Sequence, residues 1–192
     1  TNIPVQINAD TDWIEISVGL HHSLALKTGG NLFTWGKNNS GALGTGTMVN
    51  QNIPQFIGNG IDYVSAGAKH TVIIPEDASI FTMGANGLGQ LGQGDKNGAI
   101  VPSEFVSGNG WVNVDTGEYH NVVESGNGEI YSFGRNNVGQ TGVGYISGDS
   151  PLTNIFGPMS RFKNEFSMTF DGVDDEVSFG LPNSFKLTAS SS

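Results

Sequence analysis

The chain has 192 residues, 18 of them Asp or Glu against 8 Lys or Arg, which gives a formal net charge of −10 at neutral pH, and it contains no cysteine. With no basic run to form a phosphate track, no nucleic-acid partner is expected; no apolar run reaches the ~18 residues a membrane span needs, and disulfides and thiolate metal sites are excluded. Glycine fills 29 of 192 positions, about twice the usual ~7%, and clusters with Asn where turns need positive φ. No helical period is present, so an all-β chain is expected.

In chain order, Pro4 reads as the closing proline of a unit whose earlier part is missing, and Thr1 in place of Met reads as a chain cut from a longer one. The first full unit has strands predicted near 14–18, 23–27, 31–35 and 55–57. Its apolar Trp13 and Ile16 precede Gly19-x-x-His22, then Phe33-x-Trp35 alternates as a half-buried strand does. A glycine loop with Gly36, Asn38, Gly41, Gly44 and Gly46 follows, and then Pro54.

The second unit repeats this as Ile61, Val64, Gly67-x-x-His70, Pro75 in a hairpin loop, Phe81-x-Met83, a loop with Gly84, Asn86, Gly89, Gly92 and Gly94, and Pro102. The third reads Trp111, Val114, Gly117-x-x-His120, Tyr131-x-Phe133, a loop with Gly134, Asn136, Gly139, Gly142 and Gly144, and Pro151. A motif that returns every 48 to 50 residues reports stacked similar units, and four short strands per ~50 residues mark a propeller blade. The blades fall at about 13–60, 61–110 and 111–157.

These units resemble the repeats of the regulator of chromosome condensation family, with its W-x-x-V-x-x-G-x-x-H stretch, aromatic-Gly step, N-x-x-G-x-L-G-x-G loop and proline strand. Trp13, Ile16, Gly19, His22, Trp35, Gly36, Asn38 or Asn39, Gly41, Leu43, Gly44, Gly46 and Pro54 fill that pattern; Met83, Thr141 and Pro75 depart from it in the later units. The resemblance implies a partial β-propeller of three four-stranded blades over residues 1–160, where the family's complete propeller has seven. An open arc of three leaves two apolar faces to be covered.

Beyond this, alternating segments at 166–170 and 176–179 flank Asp171-Gly172, so a hairpin is expected. Residues 161–192 resemble the first hairpin of a laminin-G or concanavalin-like jelly roll. Asp171, Asp174 and Asp175 are the weak calcium candidates, since hard cations favour clustered carboxylates. The plainer reading is a turn whose Asp side chains accept backbone N–H bonds, and no metal is assigned.

His22, His70 and His120 sit in one register on separate units, which points to a structural hydrogen-bonding role rather than joint metal ligation. The glycine loops lack the Lys-Ser/Thr ending of a phosphate cradle and read as tight turns. Trp13, Trp35 and Trp111 serve either sugar stacking or the blade core, with the register favouring the core. No catalytic set and no cofactor site is identified.

The expected function is non-enzymatic: a virion structural protein on a phage capsid surface or tail appendage, its exposed blade faces covered by protein partners or by self-association. The alternatives are an extracellular bacterial surface adhesin that binds a glycan, and a guanine-nucleotide exchange regulator.

Overall fold

The computed structural model describes residues 3–106, 110–146 and 148–156, and these carry twelve strands and no helix. The first four, β1 (Trp13–Val18), β2 (His22–Lys27), β3 (Asn31–Gly36) and β4 (Gln51–Gly58), form one antiparallel sheet in chain order. A second sheet holds β5 (Ile61–Ala66), β6 (His70–Pro75), β7 (Ile80–Gly84) and β8 (Ala99–Val106), and a third β9 (Trp111–Thr116), β10 (His120–Ser125), β11 (Ile130–Arg135) and β12 (Asp149–Phe156). This is the expected partial β-propeller. The hairpin expected within 161–192, with Asp171, Asp174 and Asp175, lies outside the described residues.

Two local expectations differ from the structure. The fourth strand, placed at 55–57, runs as Gln51–Gly58, because its ladder with β3 extends from Leu32↔Gly58 to Gly36↔Gln51 and absorbs the extra residues in two irregularities. Gln51 and Asn52 carry no apolar alternation to reveal this, and Pro54 is tolerated because β4 is a sheet edge. Pro75, expected in a hairpin loop, instead ends β6 and pairs with Ile61. It lies beyond the last β6–β7 rung, Ile73↔Phe81, so its missing N–H removes no bond from that ladder.

Apolar faces of successive sheets meet in two cores. Leu24, Leu26 and Leu32 of the first sheet close on Ile61, Val64, Ile73 and Met83 of the second. Val72, Ile74 and Ile80 on the second sheet's opposite face close on Trp111, Val114, Val123 and Phe133 of the third. β6 therefore contributes alternate side chains to two different interfaces, Ile73 to the first and Val72 and Ile74 to the second, as a pleated strand buried on both faces must. Because Leu26 is wholly buried, Leu26→Ala is expected to lower the unfolding free energy by about 2–5 kcal/mol, read as a lower urea midpoint at unchanged slope.

Candidate functional site

In each unit the Gly-x-x-His stretch is the β1–β2 type of turn. The glycine N–H donates to the carbonyl of the histidine at 2.9 Å in all three copies, Gly19 to His22, Gly67 to His70 and Gly117 to His120. The imidazole folds back over the glycine, so that a Cβ at Gly67 would overlap the His70 ring and lie 2.9 Å from the Gly117 carbonyl. Glycine is required there because a ring and a neighbouring sheet both press on its α-carbon.

The rings reach the next sheet. His22 Nε2 lies 3.0 Å from Thr71 Oγ1, and His70 Nε2 lies 2.8 Å from Asn121 Oδ1. Thr71 Oγ1 donates to the Ala42 carbonyl at 2.8 Å, while Asn121 Nδ2 donates to the Gln90 carbonyl at 2.8 Å. Thr71 of the second sheet and Asn121 of the third thus each clamp the histidine and the glycine loop of the sheet before.

The donor inventory fixes the tautomers. The Thr71 hydroxyl proton is committed to Ala42 and Asn121 Oδ1 can only accept, so both histidines donate from Nε2–H, and burial keeps both neutral at pH 7, with a bare Nδ1. His70 Nδ1 is buried and has no hydrogen-bond partner. Burial accordingly pushes the His22 and His70 pKa values down to about 4. Burial also lowers that of His120, less fully enclosed, against the pull of Asp115.

A second recurring device organises the glycine loops. Asn38 Oδ1 accepts from Leu43 N–H at 3.0 Å and its Nδ2 donates to the Thr47 carbonyl at 2.8 Å. Asn86 does the same with Leu91 and Asp95, and Asn136 with Thr141 and Tyr145. All three are buried, whereas Asn39 is exposed, which assigns the loop asparagine to position 38. Hydroxyls beneath the loops, Thr34, Thr82 and Ser132, donate to the carbonyls of residues 43, 91 and 141.

The motif glycines lie where these bonds demand them. Gly36, Gly84 and Gly134 take φ of 106°, 110° and 107°, and a Cβ on Gly84 would come within 2.7 Å of His70 Cα. Gly44, Gly92 and Gly142 share a left-handed φ near 70° at the third glycine of each loop. Trp111 is buried in the second interface, while Trp13 and Trp35 are half-buried beside an open cleft on the first sheet. Among the described residues no cluster of His, Asp and Glu is arranged to hold a metal ion. Thr71 and Asn121 were missed as site residues; the available signal was a polar side chain after each histidine in an otherwise apolar strand, Ser23, Thr71 and Asn121.

The sequence profile of the regulator of chromosome condensation (RCC1) repeat matches residues 29–74 and 77–123, and a second profile of the same repeat matches residues 13–42, together more than half of the chain. The chain belongs to the RCC1 repeat family. Its matched repeats are out of phase with the sheets: residues 29–74 comprise β3 and β4 of one sheet and β5 and β6 of the next.

Among known proteins, the ultraviolet-B receptor UVR8 of Arabidopsis thaliana is 38% identical over 56 residues, which is 28% of this chain and 13% of the receptor. The structure is similar to that of Prp20p from Saccharomyces cerevisiae, with a TM-score of 0.69 and 20% identity over 79% of this chain and 40% of that one. Human WBSCR16 gives 0.65 and 19% over 76% and 40%. A structure of Kap60 bound to yeast RCC1 (Prp20) gives 0.59 and 24% over 68% and 31%. These likenesses show the RCC1 fold, and the chain spans at most 40% of the length of these relatives.

The neutral histidines make stability depend on acid. Their folded pKa of about 4 lies below the ordinary ~6.5, so unfolding takes up protons and the stabilisation, complete above pH ~6.5, is lost progressively as pH falls towards 4. Urea midpoints measured at pH 7 and pH 5 are expected to drop at the lower pH, and to drop less in His70→Gln. Asn121→Ala leaves the His70 donor and the Gln90 carbonyl unmatched and is expected to cost about 1–3 kcal/mol for each buried group, in the same assay.

Proposed function

We propose that this chain is a non-enzymatic protein-binding module of a virion, part of a phage capsid surface or tail appendage. The observation that carries the binding role is an apolar face left open. On β1, Ile14, Ile16 and Val18 are 60%, 76% and 70% exposed, whereas Val64 and Val114, in the register of Ile16, are 3% and 8% exposed. A contiguous exposed apolar surface on a β-sheet marks an interaction site. His22 and His70, the three loop asparagines and the hydroxyls beneath the loops are spent on the scaffold, which leaves the surface to carry function.

The relatives favour protein recognition: the Prp20p structure was described with binding to Gsp1p and histones, and another shows Kap60 bound to yeast RCC1. The virion setting rests on the acidic, cysteine-free, repeated β design, which suits rigid assembly parts. Mass spectrometry of purified phage particles is expected to find peptides of this chain at a fixed ratio to the capsid protein. Their absence from particles would remove the virion assignment.

One observation favours a surface adhesin as the second reading. Trp13 and Trp35 line the open cleft of about 340 Å³ together with Asn8 and Asp10, and aromatic faces beside polar groups suit a sugar ring. Saturable binding on a glycan array, lost in Trp13→Ala, would favour it. A guanine-nucleotide exchange regulator predicts faster nucleotide release from a small GTPase on addition of the chain, and no acceleration is expected.

A further inference from the structure

Asn-Gly dipeptides occur at Asn59, Asn86, Asn97, Asn109 and Asn127, and Asn109 lies outside the described residues. We infer that Asn59-Gly60, the link between β4 and β5, is a self-modification site, where the asparagine is converted to aspartate and isoaspartate and the seam between the first two sheets is loosened. An asparagine before glycine is open to attack on its own side chain, because the following residue has no Cβ to hinder the approach of its backbone nitrogen.

The reaction needs no partner but water. The Gly60 nitrogen gives up its proton and attacks Asn59 Cγ; the Cγ–Nδ2 bond breaks, and ammonia leaves with that proton. A five-membered imide remains, which water opens on either side. Addition at Cγ gives aspartate. Addition at the backbone carbonyl carbon gives isoaspartate, whose main chain runs through Cβ and Cγ and is longer by one carbon.

The dipeptides share this chemistry and differ in whether the reacting groups are held. Asn86 is 2% exposed, its Oδ1 accepts from Leu91 N–H at 2.9 Å and its Nδ2 donates to the Asp95 carbonyl at 3.0 Å. Asn127 Oδ1 accepts from the Ser125 hydroxyl and from Glu129 N–H, and its Nδ2 donates to Glu129 Oε2 at 2.9 Å. The Gly128 nitrogen is held as well, donating to the Ser125 carbonyl at 2.8 Å. Asn97 is exposed, but its Nδ2 donates to Asp95 Oδ2 at 2.9 Å and its N–H to Asp95 Oδ1 at 3.0 Å. Asn59 is exposed, and among the described residues neither its side chain nor the Gly60 N–H makes a hydrogen bond. Of the described dipeptides, only this one leaves both nucleophile and electrophile unheld.

The position gives the conversion a structural effect. The Gly60 carbonyl accepts from Glu76 N–H at 2.9 Å, beyond β6, and Ile61 N–H donates to the Gly30 carbonyl at 3.1 Å, in the turn between β2 and β3. These bonds pin the link to both sheets, and a carbon inserted into the main chain just ahead of Gly60 displaces them. The Glu76 carboxylate lies beside Gly60, so the new negative charge is also opposed by a like one.

The test is to age the 192-residue chain in mildly alkaline buffer, which favours loss of the Gly60 proton, and to follow each site by peptide mass spectrometry with fragmentation that separates aspartate from isoaspartate. A sample in concentrated urea is the unfolded reference. In the folded chain Asn59 is expected to convert roughly tenfold or more faster than Asn86 and Asn127, whose hydrogen bonds must first break, and in urea the three rates are expected to converge. The aged chain is expected to melt lower than the fresh one. Asn59→Gln, whose longer side chain closes no five-membered ring, is expected to keep its melting midpoint on ageing. Equal folded-state rates at Asn59, Asn86 and Asn127 overturn the site. A midpoint that stays unchanged after conversion at Asn59, or that falls equally in aged Asn59→Gln, overturns its effect on the seam.

Discussion

The architecture depends on a polar clamp at each sheet junction. A histidine from one sheet and a carbonyl from that sheet's own glycine loop are both held by a single short side chain of the next, Thr71 or Asn121. Apolar contact alone sets no register between two pleated surfaces, because hydrophobic attraction is non-directional. A buried donor or acceptor that slips out of reach is costly, so the clamp fixes how the faces slide against each other. The Gly-x-x-His turn exists to present the ring, and the asparagine-centred loop exists to present the carbonyl.

Much of this was written in the sequence because each local demand recurs. Gly67 and Gly84 could be recognised as special before any coordinates, since a crowded α-carbon or a positive φ admits almost nothing else. The aromatic and aliphatic positions of β1 to β3 declared their faces through alternation. The fourth strand was only partly legible, as Gln51 and Asn52 join a ladder through backbone groups that leave no trace in side-chain pattern. Thr71 and Asn121 were hidden for a different reason: their partners lie 49 and 51 residues earlier in the chain, and the two side chains differ while performing the same task.

The candidate interaction face was legible in part. That an arc of three sheets leaves apolar ends followed from the count of units. Which alternate residues of β2 face the second sheet, Leu24 and Leu26, followed only from the coordinates. Trp13 and Trp35 illustrate the limit of register: they hold the positions of Ile61 and Met83, yet remain half-buried because a position becomes core only when a neighbouring sheet arrives.

The displacement between the sequence repeat and the sheet has a structural corollary. The segment 29–74 ends one sheet and begins another, so it bridges a seam without enclosing it: His22, Leu24 and Leu26 lie before it and Met83 after it. Adding or deleting one segment leaves the flanking half-sheets free to zip together across equivalent strands. Arrays of this kind can change in length without redesign of any contact.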